Sequence, residues 1–290
     1  MPDLTLSSQL SHAQGLIDRG DPSGAIVVCR QILLALPRCL EPYAILGQAM
    51  LVGGHLERAE ALCARTLAVD PQHAEAALGM GLVQHRRGAH GAGRAWFQRA
   101  WESSRDGERA RATWFWSAVA TEAGWEPGTL SRGGLAFLML RSGMFSQAAL
   151  EFSGALEQTP SRDDLAVGLA QATYRAGDHE AASHVCERLL ERLPDCLVAL
   201  LIRGRLGLGS AEDALAREML RRAQTLEPEN RVAQRLFGNE SPLPLRSVRV
   251  PMADTEPTGL LYLDAGELWD GDEEEEEEGS PPSLDRLLRG

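Results

Sequence analysis

The sequence predicts an all-α protein: a stack of helix–turn–helix units followed by a disordered C-terminal tail. Three observations carry this. Prolines recur at a fixed interval, Pro37 and Pro71 lying 34 residues apart, as do Pro160 and Pro194, then Pro194 and Pro228. Self-similarity at this period marks stacked helical hairpins. Ala, Leu, Gly and Arg dominate while aromatics make up only 5%, a mix that favours helices of small and straight-chain residues. Finally, the charge divides the chain. Residues 1–238 carry 27 acidic and 25 basic side chains, whereas residues 239–290 carry 14 and 4.

The units follow in order. The first, Leu6–Cys39, has Ala25, Cys29 and Pro37 at its repeating places. The second, Leu40–His73, has Tyr43, Leu46, Gly47, Ala59, Cys63 and Pro71. The third, Ala74–Gly107, keeps Gly81, Phe97 and Ala100 but has Arg105 where its proline would fall. Residues 108–123 then read as one extra helix, ended by Gly124–Trp125–Glu126–Pro127–Gly128. Five of the six tryptophans (Trp96, Trp101, Trp114, Trp116, Trp125) lie in this region. Trp114 and Trp116 fall about 200° apart on a helix and cannot share a face. They are expected to fill an irregular joint between two repeat blocks, with an aromatic contact site as the alternative. The pattern resumes in Thr129–Arg162 (Leu135, Ala136, Ala148, Phe152, Ala155, Pro160), in Ala166–Pro194 (Leu169, Ala170, Ala182, Cys186) and in Leu197–Asn230 (Gly204, Ala216, Leu220, Ala223, Pro228). The expected organisation is therefore a three-repeat block at 6–107, an extra helix and joint at 108–128, a second three-repeat block with a short capping helix at 129–238, and a tail at 239–290.

Within a unit, small residues let two helices approach closely. Turns such as Arg87–Gly88–Ala89, Ser142–Gly143–Met144 and Ala176–Gly177–Asp178 supply a glycine that tolerates positive φ. The proline stops the second helix. Each hairpin exposes an apolar face that only the next one covers, so the stack is stable where a single hairpin is not.

These positions together resemble the tetratricopeptide repeat family, whose pattern runs W-x2-L-G-x2-Y, A-x3-F, P. The resemblance covers most of residues 6–230. It implies a right-handed α-solenoid whose first helices line a concave face that holds extended peptides. Carried over by register, the groove residues are Gln48, Leu51, Leu82, His85, Arg86, Phe137, Arg141, Gln171, Tyr174, Arg175 and Arg205. Arg86, Arg141 and Arg175 recur just before the turn glycine. They serve either the negative end of a helix dipole or an Arg-lined trough for acidic or carboxylate-bearing peptides. One subclass of the family clamps a chaperone's C-terminal carboxylate with lysines and asparagines. This chain contains no lysine, so that mode is not expected.

Function classes narrow accordingly. The absence of lysine removes a Walker-type phosphate loop and a pyridoxal Schiff base. The nearly neutral body lacks the basic surface that nucleic acid requires. His179, Glu180 and His184 look like a zinc-protease helix, but the histidines sit at i and i+5, about 140° apart, where the motif needs i and i+4. Cys29, Cys63 and Cys186 occupy the aromatic place of second helices, and Cys39 and Cys196 follow repeat prolines, so all five are expected to be packing residues. No metal and no cofactor are expected. Neither a basic cluster nor an apolar segment stands at Met1–Ser11, and no stretch is long and apolar enough to cross a membrane. The expectation is a cytoplasmic, bacterial, non-catalytic scaffold or adaptor for proteins or peptides; the alternative is a regulatory protein that senses a peptide or controls an enzyme or DNA-binding partner.

The tail combines six prolines with the acidic run Asp272 and Glu273–Glu278, a composition that cannot bury enough apolar area to order itself. Two islands, 259–269 and 283–288, look like segments that fold on a partner, although a solubilising low-complexity tail is the commoner case for such composition. A third option is that the acidic run docks on Arg86, Arg141 and Arg175 and occludes the groove.

Overall fold

The computed structural model describes residues 4–104 and 130–251. The expected extra helix, with Trp114, Trp116 and Trp125, lies outside them, as does the tail beyond residue 251. Among the described residues the helices form six consecutive pairs. In the first half these are α1 (Leu6–Asp18) with α2 (Pro22–Ala35), α3 (Leu40–Val52) with α4 (Leu56–Val69), and α5 (Ala74–Arg86) with α6 (His90–Ser103). The second half has α7 (Arg132–Arg141) with α8 (Phe145–Gln158), α9 (Asp163–Arg175) with α10 (His179–Arg192), and α11 (Leu197–Gly207) with α12 (Asp213–Leu226). A short α13 (Arg231–Phe237) follows, and two-residue strands β1 (Leu4–Thr5) and β2 (Arg249–Val250) pair antiparallel.

Local chemistry sets the helix ends. Side chains of Thr5, Asp21, Ser131 and Asp178 accept hydrogen bonds from backbone N–H groups three residues on, and Pro22 opens α2, each arrangement satisfying or avoiding an orphan donor. The hairpin turns are closed by Gly20, Gly54, Gly88, Gly143, Gly177 and Gly209, all with φ between 74° and 86°. In this region a Cβ would be strained.

The helix pairs are held together by a size match. Phe97 and Phe152 are fully buried. A Cβ added at Gly81 would come within 2.6 Å of the Phe97 ring, and one at Gly168 within 2.4 Å of the Phe152 ring. Glycine on a first helix thus makes room for the aromatic of a second helix, either its own partner or the one before. Around Cys63, in the aromatic's place, the two sides differ: a Cβ at Gly47 on its partner helix would meet Sγ at 3.2 Å, and one at Gly79 on the next helix at 2.6 Å. All five cysteines are buried thiols. Burial pushes Cys29, Cys39, Cys63 and Cys196 up to about 12 and raises Cys186 as well.

The loops that end the second helices of the first block meet those of the second block in reverse order. Arg38, after Pro37, pairs with Asp195, after Pro194, at 2.7 Å. Gln72, after Pro71, donates to the Asp164 carbonyl at 3.1 Å and accepts from Gln171 at 3.2 Å. Glu102 pairs with Arg162 at 3.0 Å. The two stacks therefore lie side by side with opposite chain directions.

Residues beyond α13 differ from expectation. The segment 239–251, assigned to the disordered tail on composition, returns to the first helix. Leu6 N–H donates to the Val248 carbonyl at 2.7 Å and Gln9 Nε2 donates to the Val250 carbonyl at 3.1 Å. Val250 is fully buried with Leu6, Ile32 and Cys39. Averaged composition hid this, because one buried valine and a short backbone ladder suffice to anchor the segment where an N-terminal edge is waiting.

Candidate functional site

Three clefts meet around α13. One, of about 460 Å³, lies against the first helices of the N-terminal block and is bordered by Gln48, His73, Glu227 and Arg235. A second, of about 490 Å³, lies against the first helices of the C-terminal block and is bordered by Phe137, Arg141, Gln171 and Arg175, with Gln72 and Arg235 opposite. The third, of about 630 Å³, opens at the far end between α9, α11 and α13, bordered by Tyr174, Arg175, Arg205, Arg235 and Glu240. Arg235 borders all three.

The eleven residues expected to line a groove separate into distinct environments. Phe137, Arg141, Gln171 and Arg175 come together in the second cleft, and Tyr174, Arg175 and Arg205 in the third. Gln48 stands in the first cleft, accepting from Gln14 Nε2 at 3.1 Å. Leu51 and Leu82 are buried in the core between first and second helices; apolar side chains at these places pack between helices and offer no surface. His85 packs edge-on against His90, their Nδ1 atoms 3.2 Å apart.

The recurrent arginines share the helix-dipole use, but each serves a neighbouring helix as well as its own. Arg86 Nη1 donates to the Leu51 carbonyl at 2.9 Å. Arg141 Nη1 donates to the Glu102 and Ser104 carbonyls at 3.1 and 3.4 Å, and Arg175 Nη1 reaches the Arg235 and Leu236 carbonyls at 3.5 and 3.4 Å. Each supplies a donor, and a positive charge, to carbonyls at the C-terminal end of another helix, where both are favoured. Burial lowers Arg86 below its ordinary value. Arg175 also lies over the Phe145 ring at 4.7 Å.

Sequence reasoning missed a buried charge cluster between the blocks. Asp164, with no exposed surface, takes two hydrogen bonds from Arg162 at 2.9 and 2.7 Å and pairs with Arg99 Nε at 3.2 Å. Arg162 also holds Glu102, which accepts from Gln98 and Ser131. Burial acts to lower Arg162, but hydrogen bonds and charge from Asp164 and Glu102 hold it above its ordinary value. Burial lowers Arg99, against the charge of Asp164. No period marks this meeting, because Arg99 and Glu102 reach Asp164 and Arg162 across 60 or more positions. Arg235 and Glu240 were missed for a related reason, lying beyond the last repeat.

No group of three or more potential metal ligands is found among the described residues, and no helix among them is long and apolar enough to cross a membrane.

Residues 16–83 and 139–206 match the model of a tetratricopeptide repeat family. No curated protein matches. Among solved structures, the chain is similar to Pseudomonas aeruginosa pilF, at 15% identity over 80% of this chain and 92% of that one, with a TM-score of 0.36. It is similar also to a tetratricopeptide repeat protein from Parabacteroides merdae, at 15% identity over 79% and 96%, with a TM-score of 0.36.

Proposed function

From a chain whose residues 16–83 and 139–206 match a tetratricopeptide repeat model, we propose a non-catalytic scaffold or adaptor that binds a protein or peptide segment on the first helices of its C-terminal block. One observation carries this reading. Phe137, Arg141, Gln171 and Arg175, named from repeat register, border one cleft of about 490 Å³. An apolar floor with a few converging polar groups is the usual make-up of a recognition site. Half-buried Leu140, beside the buried Phe137, supplies the floor, and Gln171 and Arg175 supply an amide and a cation for a peptide's carbonyls and carboxylates. The five reduced, buried thiols suit a reducing compartment such as the cytoplasm.

A regulatory reading is favoured by one further observation. Val232, Arg235 and Leu236 of α13 border the same cleft, so a partner of any length must share the surface with α13 or displace it. Displacement would make binding conditional and let the protein respond to its ligand.

Photo-crosslinking tests the proposal. A benzophenone amino acid placed at Gln171 should capture a partner from host lysate, and Arg175→Glu should abolish the product. Equal capture from the outward-facing Leu150, or capture indifferent to Arg175→Glu, would remove the concave surface as the site.

A further inference from the structure

The cleft between α9, α11 and α13 is bordered by three arginines, Arg175, Arg205 and Arg235, while Glu240 is its one carboxylate among the described lining residues. That carboxylate is loosely held: it lies 3.6 Å from Arg205, with its side chain 80% exposed. Arg205 Nε is buried and meets no hydrogen-bond partner among the described residues. Arg235 stands exposed at the rim. Tyr174 is fixed between His179, stacked at 5.3 Å, and Phe237, edge-on at 5.3 Å, forming a rigid apolar wall. A site with this excess of cations and so little internal compensation suits several carboxylates in succession.

We propose that this cleft holds the acidic run Asp272–Glu278 of the same chain. The run is seven consecutive carboxylates, and residues 1–238 are close to charge balance, so the cleft and the run are the matching local imbalances. The connection is long enough. Residues 252–271 separate the run from the last described position, and an extended segment of that length spans on the order of 70 Å. Tethering raises the local concentration of the run to about the millimolar range, enough for individually weak ion pairs to be occupied. Glu240 shows that the C-terminal segment already delivers one carboxylate to Arg205. All three arginines expected to receive the run donate to backbone carbonyls, and of them only Arg175 borders this cleft. The proposal is separable from partner capture at Gln171: Arg175 and Arg235 border both clefts, but Arg205 borders this one and not that of Gln171, and the occupant is supplied in cis.

The test uses the full chain in native form and with Asp272–Glu278 replaced by the corresponding amides. A fluorescein-labelled peptide of residues 271–279 is titrated into each at low salt and followed by anisotropy. The neutralised chain should bind at least tenfold more tightly than the native one, whose own run competes. In the neutralised background, Arg235→Gln or Arg205→Gln should weaken binding at least fivefold, while Arg38→Gln, on a different surface, should leave it unchanged. Arg235 is exposed, so its variant keeps the fold, and far-UV circular dichroism verifies this. Equal binding to native and neutralised chains would mean that the run does not occupy the cleft in cis. Equal effects of the three arginine variants would reduce the interaction to general charge attraction. Either result, or no binding at all, overturns the proposal.

Discussion

Removing the carboxylate of Asp164 should loosen the junction between the two repeat blocks. Asp164 is fully buried and holds Arg162 through two hydrogen bonds and Arg99 at 3.2 Å. With Glu102 the cluster contains, among the described residues, two cations and two anions. Asp164→Ala leaves a net positive charge among side chains that are 13% (Arg99) and 23% (Arg162) exposed. Deleting one partner of a buried pair costs about 3–5 kcal/mol, because the remaining charge keeps its desolvation without its compensation. The lower end applies here. Arg162 retains Glu102 at 3.0 Å, and Arg99 retains the Pro71 carbonyl at 3.2 Å. A loss of about 3 kcal/mol is therefore expected, which moves the urea midpoint by about 1–3 M for m values of about 1–3 kcal/mol/M. Asp195 gives the internal comparison. It also joins the blocks, through Arg38, but those side chains are 37% and 45% exposed, and such pairs contribute about 0–1 kcal/mol. Urea unfolding of both variants, followed by far-UV circular dichroism, decides the matter. A midpoint shift in Asp164→Ala no larger than that in Asp195→Ala would refute the reasoning.

Three other outcomes are expected. Gly81→Ala and Gly168→Ala should each destabilise by about 1–3 kcal/mol through overpacking, since the new Cβ meets Phe97 or Phe152 inside 3.0 Å; Gly47→Ala, facing Cys63 Sγ at 3.2 Å, should cost clearly less, and equal losses in the three thermal melts would contradict the size match. The Glu227 carboxyl is pushed up to about 7 by burial, with Glu229 adding to the rise and hydrogen bonds from the Val232 and Arg231 N–H groups opposing it. The folded state thus keeps this proton longer than the unfolded chain, and its stabilisation is complete below about pH 4.3 and lost as pH rises to about 7. Glu227→Gln should remove that slope, so a stability difference from the native protein that stays constant between pH 4 and 8 would exclude it. The five buried thiols, held well above their ordinary range, should react with a maleimide only on unfolding; native labelling as fast as that of free cysteine would argue against their packing role.

The repeats were legible because helix packing writes itself into sequence at short range. A turn needs its glycine within a few residues of the helix it ends, and a second-helix aromatic needs a small residue at a fixed offset. Gly88 and Phe97 follow from such rules, and so does the place of Arg175 on a first helix. The work done by that arginine does not follow. Its carbonyl partners, Arg235 and Leu236, lie on a helix outside the repeat register. Leu51 and Leu82 illustrate the converse case, where register names a first-helix face correctly but the local packing turns the side chain inward.

Sequence alone determined the helical hairpins and their stacking, since period, turn glycine and helix-stopping proline act over a single unit. Tertiary structure decided that the two stacks run side by side in opposite directions, that residues 239–251 return to β1, and that α13 borders three clefts among the described residues. The physical reason is range. Pairs such as Arg38–Asp195 and Ser7–Glu229 join residues 157 and 222 positions apart. Which distant charges and edges meet depends on how the assembled blocks turn toward one another, and no periodic pattern within a block records that choice.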